Sequence, residues 1–486
     1  MSSTRVPAAQ ATPAVPDQRL AHDAGGTGVR RGLLPVVLTA TFMYALDFFI
    51  VNVAIPSMQR GLGASSGAIQ WIMVGYSLAL AAGLISAGRL GDIHGRRRMF
   101  ALGLGLFTSA SAACGLAPDI DLLVAARVAQ GLAAALMAPQ VLAIIRTAYQ
   151  GAAQARAIAL YAVTMGLGGV CGQLVGGLLI KADVFGSDWR SCFLINIPVG
   201  LAALAMVRRS LPESRAPRRP RLDNAGMALI STALVALLLP LIQGRQAGWP
   251  LWTWLTMAAS VVLLVVFAAH QRRLAARGGF PLVPPELFRG RAFALGSVTQ
   301  VLFAAGQGSF FLILALYLQL GRGLDPLTSG LVFTVLALGY FASSLRSDVV
   351  AARLGRQAVT LGAVGMALGL GLLWEGARLA GDAPGTARVL WLIPGLVVDG
   401  VGMGLVLGPL TGASLSRVAN HLVGAASGVI TTLQQLGGAV GVAVVGLVFY
   451  GSLGGGYAHA FEAGVLVLAV MELGLAGLTQ LLPRER

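Results

Sequence analysis

Two charged residues stand where a membrane helix would have to bury them. Ala45-Leu46-Asp47-Phe48-Phe49-Ile50-Val51-Asn52 places a carboxylate near the middle of an apolar run over 33–57. A charge at that depth costs roughly 2.5–3.5 kcal/mol on insertion scales, so it needs a partner, a proton or water. Such an acid could load and release a proton as its access alternates between two faces; the other reading is a structural ion pair that fixes helix packing. Ala126-Arg127-Val128-Ala129-Gln130-Gly131 supplies a base in the run 121–145. Arg127 and Gln130 share a helical face at i, i+3, turned to a bundle interior, unless the arginine snorkels to an interface. A guanidinium beside Asp47 would favour the ionised carboxylate and so set when a proton leaves. Asp399, in Val398-Asp399-Gly400-Val401-Gly402, is read as a second protonation site or a cation-recognition acid opposite Arg127, the alternative being helix packing through the glycines. Glu472 lies midway along the last run, on a helix expected to be peripheral. This is the chemistry of ion binding, not of covalent catalysis: no catalytic residue, metal cluster, cofactor or enzymatic activity is expected.

A second constellation lies between apolar runs. Gly88-Arg89-Leu90-Gly91-Asp92-Ile93-His94-Gly95-Arg96-Arg97-Arg98-Met99 joins the runs 69–87 and 100–117, and reads as a short loop at a membrane surface. Asp92 is expected to latch the inner face through a helix terminus or an Arg, with Gly88, Gly95, Arg96 and Arg97 shaping that gate; a solvated turn acid is the alternative. Gly168, Gly172 and Gly176 recur every four residues, with Gly169 and Gly177 beside them. Small residues at this spacing permit close helix approach, either at a moving contact between bundles or as static packing. Gly400, Gly404 and Gly408, and later Gly437 and Gly441, repeat the device. Tyr44, Gln130, Gln173, Gln307, Phe311 and Gln434 are candidates for lining a cavity, along with Phe48, Phe49 and Gln300.

The elements that must position these groups are membrane spans. Of 486 residues 56% are hydrophobic and 11% charged, and mean hydropathy is +0.78; soluble domains carry roughly 25% charged residues. Fourteen apolar stretches of spanning length recur along the chain, each able to cross about 30 Å of hydrocarbon. The net charge of +16 is concentrated in alternate loops, at Arg30–Arg31, 89–98, 146–156, 208–221, 272–277 and 346–356. That pattern points to membrane orientation instead of nucleic acid, with these loops and both termini cytoplasmic. Residues 1–32 read as a disordered cytoplasmic tail and 483–486 as a cytoplasmic end. Arg- and Pro-rich linkers at 208–224 and 271–291 divide the spans into a bundle of six (33–207), an inserted pair (225–270) and a second bundle of six (292–482). Ala352-Arg353-Leu354-Gly355-Arg356-Gln357 is a decayed copy of Ile93-His94-Gly95-Arg96-Arg97, placed so that each half carries one. Cys114, Cys171 and Cys192 lie in or beside apolar runs and read as small packing residues. No phosphate-binding G-x-x-x-x-G-K-[ST] loop occurs, so any active transport draws on an ion gradient.

The 88–97 motif resembles the G-x-L-a-D-r-x-G-r-r loop of the major facilitator superfamily at Gly88, Leu90, Asp92, Gly95, Arg96 and Arg97, departing at Ile93. L-D-x-x-I-V-N-V-A-x-P at Leu46–Pro56 and W-R-x-x-F-x-I-N-x-P-x-G at Trp189–Gly200 resemble its fourteen-span drug:proton antiporters, the EmrB/QacA-type multidrug exporters. Tyr317-Leu318-Gln319, with Pro326 and Gly330, fits the same branch. The resemblance implies an all-α polytopic major facilitator fold in a bacterial inner membrane. It implies proton-driven export of amphipathic or cationic small molecules, with Asp47 and Arg127 in coupling roles and Asp92 in the cytoplasmic gate. The antiporter motif of the fifth span is normally G-P-x-x-G-G; here it reads Gly172-Gln173-Leu174-Val175-Gly176-Gly177, so Gln173 brings either a straighter helix or a polar cavity group. The alternatives are a dedicated exporter of one metabolite, an uptake permease, and a non-transporting sensor. A monomer is expected; a periplasmic adaptor is left open.

Overall fold

The computed structural model describes residues 32–215, 223–244, 247–381, 385–419 and 422–482. The expected tail up to residue 31, part of the first linker, the 483–486 end and the Asp92 side chain lie outside the described residues.

Among the described residues fourteen long helices run back and forth: α1 Leu33–Leu62, α2 Ser66–His94, α3 Arg96–Gly115, α4 Ile120–Ala148, α5 Gly151–Ala182, α6 Asn196–Ser210, α7 Asn224–Gln243, α8 Leu251–Ala276, α9 Arg291–Leu316, α10 Pro326–Ser344, α11 Arg356–Ala380, α12 Ile393–Leu415, α13 Val423–Ser452 and α14 Tyr457–Thr479. Thirteen spans among the described residues are long and apolar enough to cross a bilayer. The exception is α3, whose arginine start and Thr108, Ser109 and Ser111 dilute its hydropathy although Phe100, Leu104 and Phe107 are fully buried.

Several expected boundaries move. The stretch read as a loop is helical as far as His94, and only Gly95, at φ 109°, interrupts the backbone before α3 begins. A helix need not stop at the lipid surface, and glycine alone turns at that φ without strain. Gly355, at φ 56°, does the same between the short helix Ser347–Leu354 and α11, so the decayed sequence copy is a copy in backbone too. Helix α8 passes its expected end near 270 to reach Ala276, because Arg272 and Arg273 are good helix formers near a helix C-terminus. The sixth span opens with short turns at Val184–Gly186, Asp188–Arg190 and Ser191–Leu194 before α6.

The two halves repeat one packing plan. In the first, α1 packs on α5 and α6, α2 on α4, and α3 on α4 and α6. In the second, α9 packs on α13 and α14, α10 on α12, and α11 on α12 and α14. Across the halves α2 meets α13 and α5 meets α10. The pair α7–α8 packs on itself and touches both α2 and α13. Helix α8 leaves Leu255, Val261, Val262 and Val265 exposed, a face suited to lipid.

Three polar bonds between the halves lie toward the side opposite the arginine-rich loops. Gln70 Nε2 donates to Val442 O at 3.5 Å, Gln319 Nε2 to Val53 O at 2.9 Å, and Lys181 pairs with Asp325 at 3.6 Å. Here Gly177 comes within van der Waals range of the Pro326–Leu327 backbone, and Gly330 of Gln173. These contacts fasten the two halves on the side opposite the arginine-rich loops.

Asp223 clasps the inserted pair at the opposite end. Its Oδ1 accepts from Gly226 N and meets His270 Nε2, both at 2.8 Å, and its Oδ2 accepts from Gln271 Nε2 at 2.7 Å. Burial pushes this carboxyl up, but the His270, Gly226 and Gln271 bonds outweigh it and hold it below the usual carboxylate range. A depressed acid contributes stability above its unfolded value that fades as pH falls through the folded one. Asp223→Ala should therefore lower the melting temperature at neutral pH, with a cap loss of about 0.5–2 kcal/mol. Differential scanning fluorimetry should find the gap between variant and parent closing only in strong acid.

Candidate functional site

Asp47 occupies the middle of α1 and is fully buried. Its Oδ2 accepts from Arg127 Nη1 at 2.7 Å; its Oδ1 accepts from Gln130 Nε2 at 2.9 Å and from Asn196 Nδ2 at 2.8 Å. Arg127, 1% exposed, also donates to Gln130 Oε1 at 2.7 Å and through Nε to Ile72 O at 3.2 Å. Its guanidinium lies 4.2 Å from the Tyr76 ring centroid and 5.7 Å from that of Phe193. Four helices therefore converge on one ion pair: α1 brings the acid, α4 the base and an amide, α2 the ring and carbonyl, and α6 a second amide.

The i, i+3 spacing that set Arg127 beside Gln130 was legible in sequence; the Asn196 contact was not. Asn196 is the Asn of the W-R-x-x-F-x-I-N stretch and also donates to Ser111 Oγ at 2.9 Å. Upstream, Trp189 is buried, Arg190 stacks on it at 4.4 Å and donates to Ala117 O, and Phe193 lies beneath Arg127. The motif seats one end of α6 so that its Asn reaches the acid. Tyr76, with no charge and no motif, gave no comparable signal.

Chemically, the arrangement sets a carboxyl that accepts from three donors against a desolvated guanidinium. Removing either partner strands a buried charge, which costs about 3–5 kcal/mol. A run of rings also links the pair to the other half. Tyr76 meets Phe48 at 6.0 Å, Phe48 meets Phe49 at 5.0 Å, Phe49 meets Phe311 at 5.3 Å, and Phe311 stacks on Phe333 at 5.7 Å. The Phe49–Phe311 step crosses from α1 to α9.

The remaining candidates separate. Gln434 Nε2 donates to Gln300 Oε1 at 2.7 Å and Gln300 Nε2 to Thr411 Oγ1 at 3.0 Å, a polar chain over three helices of the second half. Gln307, about two turns along α9 from Gln300, is half-buried and its Oε1 has no partner. Gln173 is buried with both amide atoms unpartnered, at the α5–α10 contact. Tyr44 turns away from Asp47, meeting Tyr161 and donating to Met165 Sδ on α5.

Asp399 does not reach across to Arg127, whose guanidinium is enclosed in its own half; it packs against Gly369 of α11. Glu472, expected to be peripheral, is 2% exposed and touches Gly306 of α9. Of the fifth-span glycines, Gly168, Gly172 and Gly176 pack on α1 within one half, whereas Gly166 and Gly177 meet α10 of the other half. Gly437 and Gly441 repeat that internal contact on α9. Small residues thus serve the tight seams inside each half as well as the seam between them.

At the Gly95 turn, Arg97 pairs with Glu213 at 3.7 Å, and Arg97 N donates to Glu213 Oε1 at 3.1 Å. Arg98 approaches the same carboxylate at 3.8 Å, and Arg96 N donates to Ser214 O at 2.9 Å. An acid at the start of α3 complements the helix dipole, so this basic cluster is tied to the linker after α6. Glu213 was not singled out in the sequence because it looks like one more charge in a polar linker.

Residues 37–442 match the family described as Major Facilitator Superfamily. The chain is 42% identical over 426 residues to a "Probable actinorhodin transporter" of Streptomyces coelicolor, covering 87% of this chain and 73% of that one. It is 34% identical to a "Tetracenomycin C resistance and export protein" of Streptomyces glaucescens, covering 87% and 76%. It is also 34% identical to "Multidrug resistance protein Stp" of Mycobacterium tuberculosis, covering 86% and 76%. Among solved structures, an auto-inhibited POT family peptide transporter superimposes with a TM-score of 0.70 at 15% identity, covering 93% of this chain and 98% of that one; this likeness concerns the fold alone.

Proposed function

The chain belongs to the Major Facilitator Superfamily, and we propose that it is a proton-coupled exporter of amphipathic or cationic small molecules, working by alternating access. Membership makes it a multi-pass transporter of small molecules, not an enzyme. The proposal places it in a bacterial inner membrane with both termini cytoplasmic, because its arginines gather at one end of the bundle. The observation that carries the coupling is the sealed Asp47–Arg127 pair, at 0% and 1% exposure, linked to the other half through the rings of Tyr76, Phe48 and Phe49.

A proton arriving at Asp47 neutralises the acid and leaves Arg127 with Gln130, Ile72 O and the Tyr76 face, a set that no longer balances its charge. The guanidinium then draws on water or substrate as alternating access opens a cavity between the halves, and Tyr76, Phe48 and Phe49 shift with it against Phe311. Return of Arg127 to the carboxylate expels the proton. Energy comes from the gradient, with no cofactor. Gln300, Gln434, Thr411 and Gln307 offer hydrogen bonds, and Phe49 and Phe311 apolar faces, to a substrate in that cavity.

A narrower reading, a dedicated exporter of one compound, is favoured by the 42% identical relative whose description names a single product. Everted vesicles energised by an inward acid load distinguish the two readings. Uptake of several unrelated lipophilic dyes, abolished by a protonophore, is expected for the broad exporter. Uptake confined to one chemical scaffold would support the dedicated one, and uptake indifferent to the protonophore would overturn proton coupling.

A further inference from the structure

The segment that joins α9 to α10, residues 317–327, carries two of the three polar bonds that fasten the halves on the face opposite the arginine-rich loops. Gln319 Nε2 donates to Val53 O of α1 at 2.9 Å, and Asp325 pairs with Lys181 of α5 at 3.6 Å. The Pro326 carbonyl and Leu327 Cα close on Gly177 of α5. The segment is not a loose loop. It begins in a π-helical turn, Tyr317–Gly321, where Arg322 N donates to Tyr317 O at 2.8 Å and Leu324 N to Leu318 O at 3.0 Å. Such turns are rare, short and frequent at functional sites. The result is a compact strap laid across the seam between the halves.

One side chain ties this strap back to its own half. Arg322 is 1% exposed; its Nη1 donates to Ala380 O at 2.7 Å and Gly381 O at 2.9 Å, and its Nη2 to Gly385 O at 2.9 Å. Carbonyls at the end of α11 lack partners within the helix, and the negative end of the dipole favours a cation there. Tyr317 supports the same anchor: its hydroxyl donates to Gly381 O at 3.1 Å, and its ring stacks on Phe461 of α14 at 4.7 Å. Among the described residues no carboxylate pairs with Arg322, and its Nε has no partner. Helix α11 does not need a buried cation in order to stop, because Gly381, at φ 60°, already closes it with a 2.7 Å bond to Ala377 O. What the arginine adds is the tie between strap and helix.

We propose that residues 317–327 form the outer gate of the transport cycle and that Arg322 is its positioning residue, holding the strap to α11 so that it travels with the second half as one piece. The proposal rests on the alternating-access reading for the motion, and not on proton coupling. As the halves separate, Gln319, Asp325 and Pro326–Leu327 leave α1 and α5 together, while the bonds from Arg322 to residues 380, 381 and 385 persist. The fork of the guanidinium matters here, because one nitrogen meets Ala380 and Gly381 while the other meets Gly385. A lysine ammonium is a single point charge and does not bridge both groups.

Amide hydrogen exchange of the full chain in lipid nanodiscs, read by mass spectrometry, tests the anchor without requiring transport, so its failure is distinct from a failure of the export reading. Gly177→Val pushes the strap off α5, and labelling of the Gln319→Cys variant by an impermeant thiol reagent reports the separation. In the Gly177→Val background that labelling should quicken while the strap amides stay as protected as in the wild type. Adding Arg322→Lys should raise strap exchange by at least about tenfold, since a bond from a charged donor is worth that much or more, and should leave α1 and the start of α11 unchanged. Tyr317→Phe keeps the ring stack and removes the hydroxyl that meets Gly381 O, so it should give a smaller rise at the same amides even if Arg322→Lys folds poorly. Strap protection lost in Gly177→Val alone would mean that the first half holds the strap. A rise spread evenly over the second half, or no rise in either anchor variant, would reduce Arg322 to a packing residue, and unchanged Gln319→Cys labelling would show that the strap is not a gate; each result would overturn the proposal.

Discussion

Asp47→Asn should abolish substrate-driven proton movement and lower the stability of the first half by about 3–5 kcal/mol, the usual cost of stranding one member of a buried pair. The substituted amide is isosteric, so what is lost is charge: Arg127 stays at 1% exposure with only Gln130, Ile72 O and two rings around it. Arg127→Gln should cost a similar amount for the mirror-image reason. The double variant should be more stable than the sum of the two losses, because neither charge is then left alone. Chemical denaturation of the four proteins in detergent measures this coupling. Additive losses would mean that the pair contributes nothing as a pair.

Gly177→Val should shift the transporter away from the outer-closed state while leaving the first half intact. The new side chain would strike the Pro326 carbonyl and Leu327 Cα, which are backbone atoms of the other half and cannot rotate aside. Overpacking of this kind costs about 1–3 kcal/mol. Confined to one state, that cost moves the balance between the two faces by about 5- to 150-fold. Gln319→Cys, whose parent side chain bonds Val53 O across the halves, should become correspondingly faster to label with an impermeant thiol reagent in the Gly177→Val background. Gly371→Ala, with nothing within 4 Å, serves as a control expected to change neither labelling nor transport. Equal labelling in all three would show that the α5–α10 seam does not govern outer closure.

Much of the architecture could be read from sequence because lipid imposes one demand, an apolar run of fixed length, wherever the chain crosses. The same demand hid the boundaries. Residues 88–94 look like a loop because they are polar, yet a helix continues through polar residues once it leaves the membrane, and only Gly95 forced a stop. Asp47 and Arg127 were legible because a lone charge at mid-span calls for a partner. Asn196 and Tyr76 were less so, since their value lies in a geometry that four separate helices create. The glycine stripe shows the limit of periodicity: spacing predicted a close seam, but which helix would fill it was a property of the assembled bundle.

Acid-loaded everted vesicles offer the most direct test of the central claim, that the Asp47–Arg127 pair couples proton release to export. A panel of lipophilic cations and neutral amphipaths would be added while external pH is followed, for the wild type and for Asp47→Asn in vesicles carrying equal amounts of folded protein. The expected result is proton efflux on addition of at least one compound in the wild type and none in the variant. Equal efflux from both would contradict the account and move the coupling step away from Asp47.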